Sequence, residues 1–167
     1  MRLYNSSTRC LIFFLNSDLT KSSTDPIQLT LADDRGMVYD GSNFYIGGSK
    51  SYSVSGFRKV SPNGSTLWSR TMTLPFSRHC SCYYVALSGN DPVFYVDEIV
   101  GSYPGTHWMR IALVKYNSSG TLQWYRGIDL GHNSPLFARS ESGVATDSDG
   151  NIYTLGASPS SNYYIIK

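Results

Sequence analysis

Hydrophobic and polar positions along the chain alternate in short stretches, and no stretch carries the three-to-four spacing of a helix face. Runs such as Leu11-Ile12-Phe13-Phe14-Leu15, Phe44-Tyr45-Ile46, Val93-Phe94-Tyr95-Val96, Ile111-Ala112-Leu113-Val114 and Tyr163-Tyr164-Ile165-Ile166 are each about one strand long. Clusters of Asn, Asp, Ser and Gly separate them, and these are turn signals between strands. The pattern predicts an all-β chain of many short strands.

The strands recur in order. Phe57-Arg58-Lys59-Val60-Ser61-Pro62-Asn63-Gly64-Ser65-Thr66-Leu67-Trp68-Ser69-Arg70 returns as Leu113-Val114-Lys115-Tyr116-Asn117-Ser118-Ser119-Gly120-Thr121-Leu122-Gln123-Trp124-Tyr125-Arg126. The Lys and Trp landmarks keep one separation (115 − 59 = 56 and 124 − 68 = 56). The start of the pattern returns once more in Tyr164-Ile165-Ile166-Lys167. A second motif precedes each copy: Val38 to Gly48 in the first, a degraded Val85 to Val96 in the second, and Val144 to Gly156 in the third.

Each copy parses into four strands. The first two flank an Asp/Gly turn. The third ends in the Lys, and the fourth carries the Trp. Four strands in a repeat of this length, joined by hairpin turns, predict an array of four-stranded antiparallel blades of the β-propeller type. On this reading the chain is a single domain. It has a part-blade at 1–33, blades at 34–78 and 79–138, and a part-blade at 139–167. Cys10 to Thr20 supplies a third strand and its turn, and residues 21–31 supply a fourth strand without its Trp. An open array of this kind leaves strand edges for another chain to complete.

Asp-Gly-Asn-Ile-Tyr at 149–153, the following Gly156, Lys115, the Ser-Gly-Thr-Leu at 119–122 and Trp124 resemble the bacterial β-propeller repeats of the SBBP type. The resemblance covers roughly residues 36–167 and is closest over Val144 to Lys167. The resemblance implies a propeller fold in secreted, surface or phage-borne proteins, and it brings no catalytic residues.

Composition narrows the functional classes. Apolar residues are 41% of the 167, enough for a core. Charged residues are 16%, against about 25% in an average soluble protein. A net charge of +2 gives no basic stripe for tracking phosphates, so nucleic acid is not expected as a partner. No run approaches the roughly 20 apolar residues of a membrane helix, and the Leu11–Leu15 run is too short for a signal peptide. Three cysteines do not make a disulfide framework. Sequons at Asn5, Asn63 and Asn117 fall where Asn and Ser serve turns.

Candidate chemistry is sparse. His79-Cys80-Ser81-Cys82, with His132, is the one dense group of soft ligands, but its spacing is not that of a zinc site, and packed thiols are the expectation. Asp147-x-Asp149-Gly150 is read as a hairpin turn, since the rest of a calcium loop is missing. There is no nucleophile elbow, phosphate loop or dinucleotide fingerprint. No cofactor, metal or catalytic residue is expected. Trp68, Trp124, Lys59, Lys115, Gly64, Gly120 and Gly150 are read as the structural repeat. Tyr52, Tyr103, His107 and Trp108 fall in the longer connections between second and third strands, where aromatics among Ser and Gly form adaptable binding surfaces.

The expected function is therefore a non-enzymatic structural or adhesive module. The most economical setting is a virion, as a phage tail, fibre or capsid-associated protein. Its expected partners are a second copy of itself, other virion proteins, or a cell-surface glycan. The alternative is a carbohydrate-binding module of an extracellular or bacterial cell-surface protein.

Overall fold

A computed structural model describes residues 10–12, 26–29, 34–51, 53–73, 77–101, 107–129, 143–157 and 163–167. The described elements are all strands: β1 Cys10–Ile12, β2 Ile27–Leu29, β3 Asp34–Tyr39, β4 Phe44–Ser51, β5 Val54–Val60, β6 Thr66–Thr73, β7 Ser77–Ser88, β8 Asp91–Gly101, β9 His107–Tyr116, β10 Leu122–Asp129, β11 Gly143–Thr146, β12 Ile152–Ala157 and β13 Tyr163–Ile166. They form four antiparallel sheets, each a simple meander: β1-β2, β3-β4-β5-β6, β7-β8-β9-β10 and β11-β12-β13.

The turns explain why these strands form hairpins. In Ser61–Ser65, Asn117–Thr121 and Asp147–Asn151 the same two backbone bonds close the loop. The fourth residue donates to the first carbonyl, and the first residue donates to the fifth. The fourth residue is Gly64, Gly120 or Gly150, at φ of 87°, 82° and 82°. A left-handed residue at that place joins the strands with their native twist, and glycine adopts it without a Cβ penalty.

The repeat in sequence is a repeat in register. Lys59 faces Trp68, and Lys115 faces Trp124. Both ladders carry a bulge one residue before the Trp, so Leu67 and Gln123 have no opposite residue. The extra residue twists both hairpins in the same way.

The sheets stack in chain order, because the inner strands β4, β5, β8 and β9 carry apolar side chains on both faces. Phe44, Ile46 and Val60 meet Ile12 and Ile27 on one side of the β3–β6 sheet. Tyr45, Phe57 and Trp68 point the other way and pack on Cys80, Cys82, Phe94, Val96, Ala112, Val114 and Tyr116. On the far side of β7–β10, Tyr95, Ile111 and Leu113 receive Val144 and Ile152. Such near-continuous apolar strands are what a sheet covered on both faces requires. Fully burying one of these large side chains contributes about 1.5–3 kcal/mol.

β7 lies across β3, β4 and β5 of the sheet before it and against β11 of the sheet after it. The approach there is close. A Cβ on Gly47 would lie 2.2 Å from Cys82 Sγ, and one on Gly36 would lie 2.8 Å from the Tyr83 carbonyl oxygen. Replacing Gly47 by Ala is expected to cost about 1–3 kcal/mol through overpacking. In urea unfolding, much of that loss should return in the Gly47→Ala/Cys82→Ala double variant, and additive losses would show that the two residues do not share one space.

Candidate functional site

The residues read as a binding surface divide in two. Tyr52 and Tyr103 lie outside the described residues, as does His132. His107 and Trp108 are placed in a ladder, opposite Gly101 and Val100. The β8–β9 hairpin thus runs further than expected, and only 102–106 remain between its strands. The stretch Ser49 to Ser55 also differs from a loop, since Ser49 pairs with Ser55 and Ser51 with Val54. Likewise β7 begins at Ser77, so His79 to Cys82 stand in a ladder opposite Ile99 to Val96. Small residues at 47–56 imitate loop composition, but Gly47 is small because another sheet presses on it.

His79, Cys80 and Cys82 are therefore strand residues. Cys80 and Cys82 are fully buried between sheets. His79, consecutive with Cys80 on the strand, points to the opposite face. Burial pushes the Cys82 thiol far up, despite its bond to the Tyr84 carbonyl, so the thiolate that metals and oxidants need is disfavoured. Among the described residues no three His, Cys, Asp or Glu side chains converge as a metal site.

The repeated residues meet at the turns, across the sheet boundary. Trp68 Nε1 donates to the Ser118 carbonyl at 3.1 Å, and Lys59 Nζ donates to the same oxygen at 3.3 Å. Arg70 Nε donates to the Gly120 carbonyl at 2.8 Å. The Trp68 ring leaves no room for a Cβ on Gly120, which would sit 2.9 Å from it. Gly120 is thus required twice, by its φ and by the indole. Trp124 is only half-buried and packs beside Tyr95, Ile111 and Leu113. Lys115 Nζ reaches Ser88 Oγ at 3.2 Å, and Ser88 Oγ donates to the Gly150 carbonyl at 3.1 Å. Gly64 lies under Ile27, where a Cβ would come to 3.1 Å.

Two acidic side chains organise the turns between first and second strands, and the sequence reading did not single them out for this role. Asp40 Oδ1 accepts from the Ser42 and Asn43 amides at 2.8 and 2.6 Å. Asp147 accepts from the Asp149 and Asn151 amides, from Asn151 Nδ2 and from the Tyr153 hydroxyl, all within 3.1 Å. Each acid belongs to a triplet with a tyrosine and a lysine: Lys59 Nζ sits 5.0 Å from the Tyr45 ring, and Lys167 Nζ 5.8 Å from the Tyr153 ring. All of the Asp147 acceptor sites are taken, so a calcium ion would have to break the bonds that hold the turn.

Two ion pairs neutralise buried carboxylates, and Arg110 itself stays partly exposed. Glu98 is fully buried, and Arg110 Nε donates to its Oε2 at 2.6 Å. Arg58 and Asp34 pair on the opposite side of the stack. Alternation places Glu98 beside Val96 on the inner face, so it acts within the packing between sheets. Burial raises the nearby Tyr125 phenol, and the charge of Glu98 adds to this.

No family model matches the chain, and no curated protein matches it. Among the described residues no helix is long and apolar enough to cross a membrane. What the polar groups can do chemically follows from their partners: they fix turns and join sheets.

Two outcomes are expected. Removing the cation from the buried Glu98, as in Arg110→Ala, should cost about 3 kcal/mol in chemical denaturation, because Glu98 is left as an uncompensated buried charge. The turn acids give a pH dependence of known sign. Burial would raise the Asp40 carboxyl, but the Asn43 and Ser42 amides, with Tyr45 and Lys59, outweigh it and hold it below its ordinary 3.8. Asn151, then Tyr153 and the turn amides, lower Asp147 against a smaller desolvation effect. A folded value below the unfolded one gives stability that is present above the ordinary aspartate range and is lost as pH falls through the folded value. Asp40→Asn with Asp147→Asn should be less stable at pH 7 and should show a shallower loss toward acid, read by thermal melts across pH.

Proposed function

We propose that the chain is a non-enzymatic β-propeller-type module, with its sheets as blades. It acts as a structural or adhesive component of a phage particle, in a tail, fibre or capsid-associated position, through contacts with protein or receptor. The observation that carries this reading is the in-register repetition of four-stranded antiparallel sheets stacked in chain order. Repeated four-stranded antiparallel meanders are the units from which propellers are built, which supports reading the sheets as blades. The polar chemistry supports a scaffold, since the turn acids, lysines and tryptophan nitrogen all bond to turns. The phage setting rests on the resemblance of the repeat residues to SBBP-type repeats.

The test is to purify particles released from the strain that carries the gene, and to identify their proteins by mass spectrometry with immunogold labelling. The chain should co-purify with particles at a fixed copy ratio and label one place on them. Recovery only in the particle-free supernatant or on the cell surface would overturn the virion reading. Glycan-array binding lost in Trp108→Ala would then favour the carbohydrate-binding alternative.

A further inference from the structure

One row of partners crosses the whole β3–β6 sheet: Asp34 with Gly48, Gly48 with Gly56, and Gly56 with Thr71. Its two middle members are glycines, so the sheet face is bare there and floors a groove of about 130 Å³. Glycine weakens a strand, and inside one it marks a bulge or a close approach by a ligand or another backbone. At Gly56 the ladder runs without a shift to both neighbours. An added Cβ would meet only the Lys50 Cβ, at 3.9 Å, and no backbone. Gly47 is the contrast, since a thiol fills the space beside it. Of the three causes, a ligand is left for Gly56.

The walls of the groove are polar. Asp34 stands at one end, paired with Arg58, which crosses β4 to reach it. Arg58 is 4% exposed, and its Nε has no hydrogen-bond partner. Lys50, Ser69 and Thr71 line the groove and are exposed, so it opens on their side. Ile12 and Ile27 cover the same face at Phe44, Ile46 and Val60, and the groove lies beyond that contact. Arg58 matches the charge of Asp34. Lys50 has no ion-pair partner among the described residues, and Arg70, whose guanidinium bonds to the Gly120 and Ser69 carbonyls, adds a second positive charge.

We infer that this groove binds a single acidic sugar unit, with its carboxylate at Lys50 and its hydroxyls at Asp34, Ser69 and Thr71. The surplus positive charge and the donors call for an anion, and a carboxylate accepts several such bonds. Asp34 is an acceptor, so the ligand must also donate. A sugar acid does both, whereas an acidic peptide side chain supplies only the carboxylate. The volume holds several waters but is well below the roughly 300 Å³ of a pocket for a larger ligand, which suits one ring lying on the bare floor. This deepens the adhesive part of the reading above, and rests on it, by naming the receptor chemistry.

Two-dimensional NMR of the isotopically labelled full chain, titrated with D-glucuronate, D-glucose or acetate, tests it. Glucuronate should shift the Gly48, Gly56 and Thr71 amides saturably, and glucose and acetate should bind at least about tenfold more weakly, as loss of one charged hydrogen bond or of the ring contacts does. Lys50→Gln should weaken glucuronate by about the same factor, and Gly56→Ala should abolish its binding by raising the floor. Lys50 is exposed and the Gly56 Cβ has room, so both variants should keep the parent's thermal midpoint. Absence of a saturable shift with glucuronate, equal affinity for glucose or acetate, preference for a glutamate-containing dipeptide, or binding unchanged in both variants would overturn the site. A particle-borne chain that binds no glucuronate would overturn the site alone, and glucuronate binding by a chain absent from particles would overturn the virion setting alone.

Discussion

Position 47 admits no side chain, and much of the architecture depends on that. β4 and β7 approach until the Cys82 thiol occupies the space a Cβ would need. With the sheets this close, Phe57 can reach Phe94 and Tyr116, and Trp68 can reach Tyr116 at 5.8 Å between rings. The same spacing brings the first part of β6 to the turn after β9. Trp68, Lys59 and Arg70 then bond to carbonyls of Ser118 and Gly120. A wider gap would leave the aromatic core with voids and the indole N–H without its acceptor. Close packing of this kind does not average out small errors, since one methylene in the wrong place is felt.

Hydrogen bonding across the boundary explains why a stack of sheets with few charges holds one alignment. Apolar contacts between sheet faces are non-directional and tolerate sliding. Bonds from Trp68, Lys59 and Arg70 to specific turn carbonyls do not. The next boundary uses different donors for the same task. Ser88 bonds to the Gly150 carbonyl, and Thr146 Oγ1 donates to the Leu87 carbonyl. In both cases the acceptors are backbone carbonyls in the turns or, for Leu87, next to one. The turns therefore serve as docking points for the neighbouring sheet as well as hairpin closures.

The strand content, the hairpin turns and the four-stranded units were legible because they are local. Gly64, Gly120 and Gly150 mark turns wherever they stand, and the 56-residue repeat preserves even the bulge before Trp68 and Trp124. What was not legible depends on the neighbouring sheet. Ser49 to Ser55 has loop composition and yet forms a ladder. His107 and Trp108 stand in β9 because pairs such as Glu98 with Arg110 and Ile99 with Met109 extend the hairpin. The Glu98–Arg110 pair lies 12 residues apart in sequence and becomes a pair only through that register. The turn acids left a trace, since Asp40 and Asp147 each open a turn, but their tyrosine and lysine partners become visible only once the strands are aligned.

The repeats differ in the partners they give the repeated lysine. Tyr45 and Tyr153 hold one place in the first and third copies, each beside a turn acid and a lysine. In the middle copy the ladder opposite Lys115 holds Val93, which is fully buried, and the turn offers Ser88 where the others offer aspartate. Tyr45 is as deeply buried as Val93, so depth of burial does not decide between them. The first copy keeps its phenol in the covered interface beside Lys59, which also lies 4.0 Å from Asp40. The middle copy changes acid and phenol together, and Lys115 keeps a neutral acceptor in Ser88. An aspartate retained without the lysine's phenol, or a phenol without the aspartate, would leave a polar group short of a partner, which is costly once covered. The residues at this place therefore vary as a set, each set giving its lysine a partner.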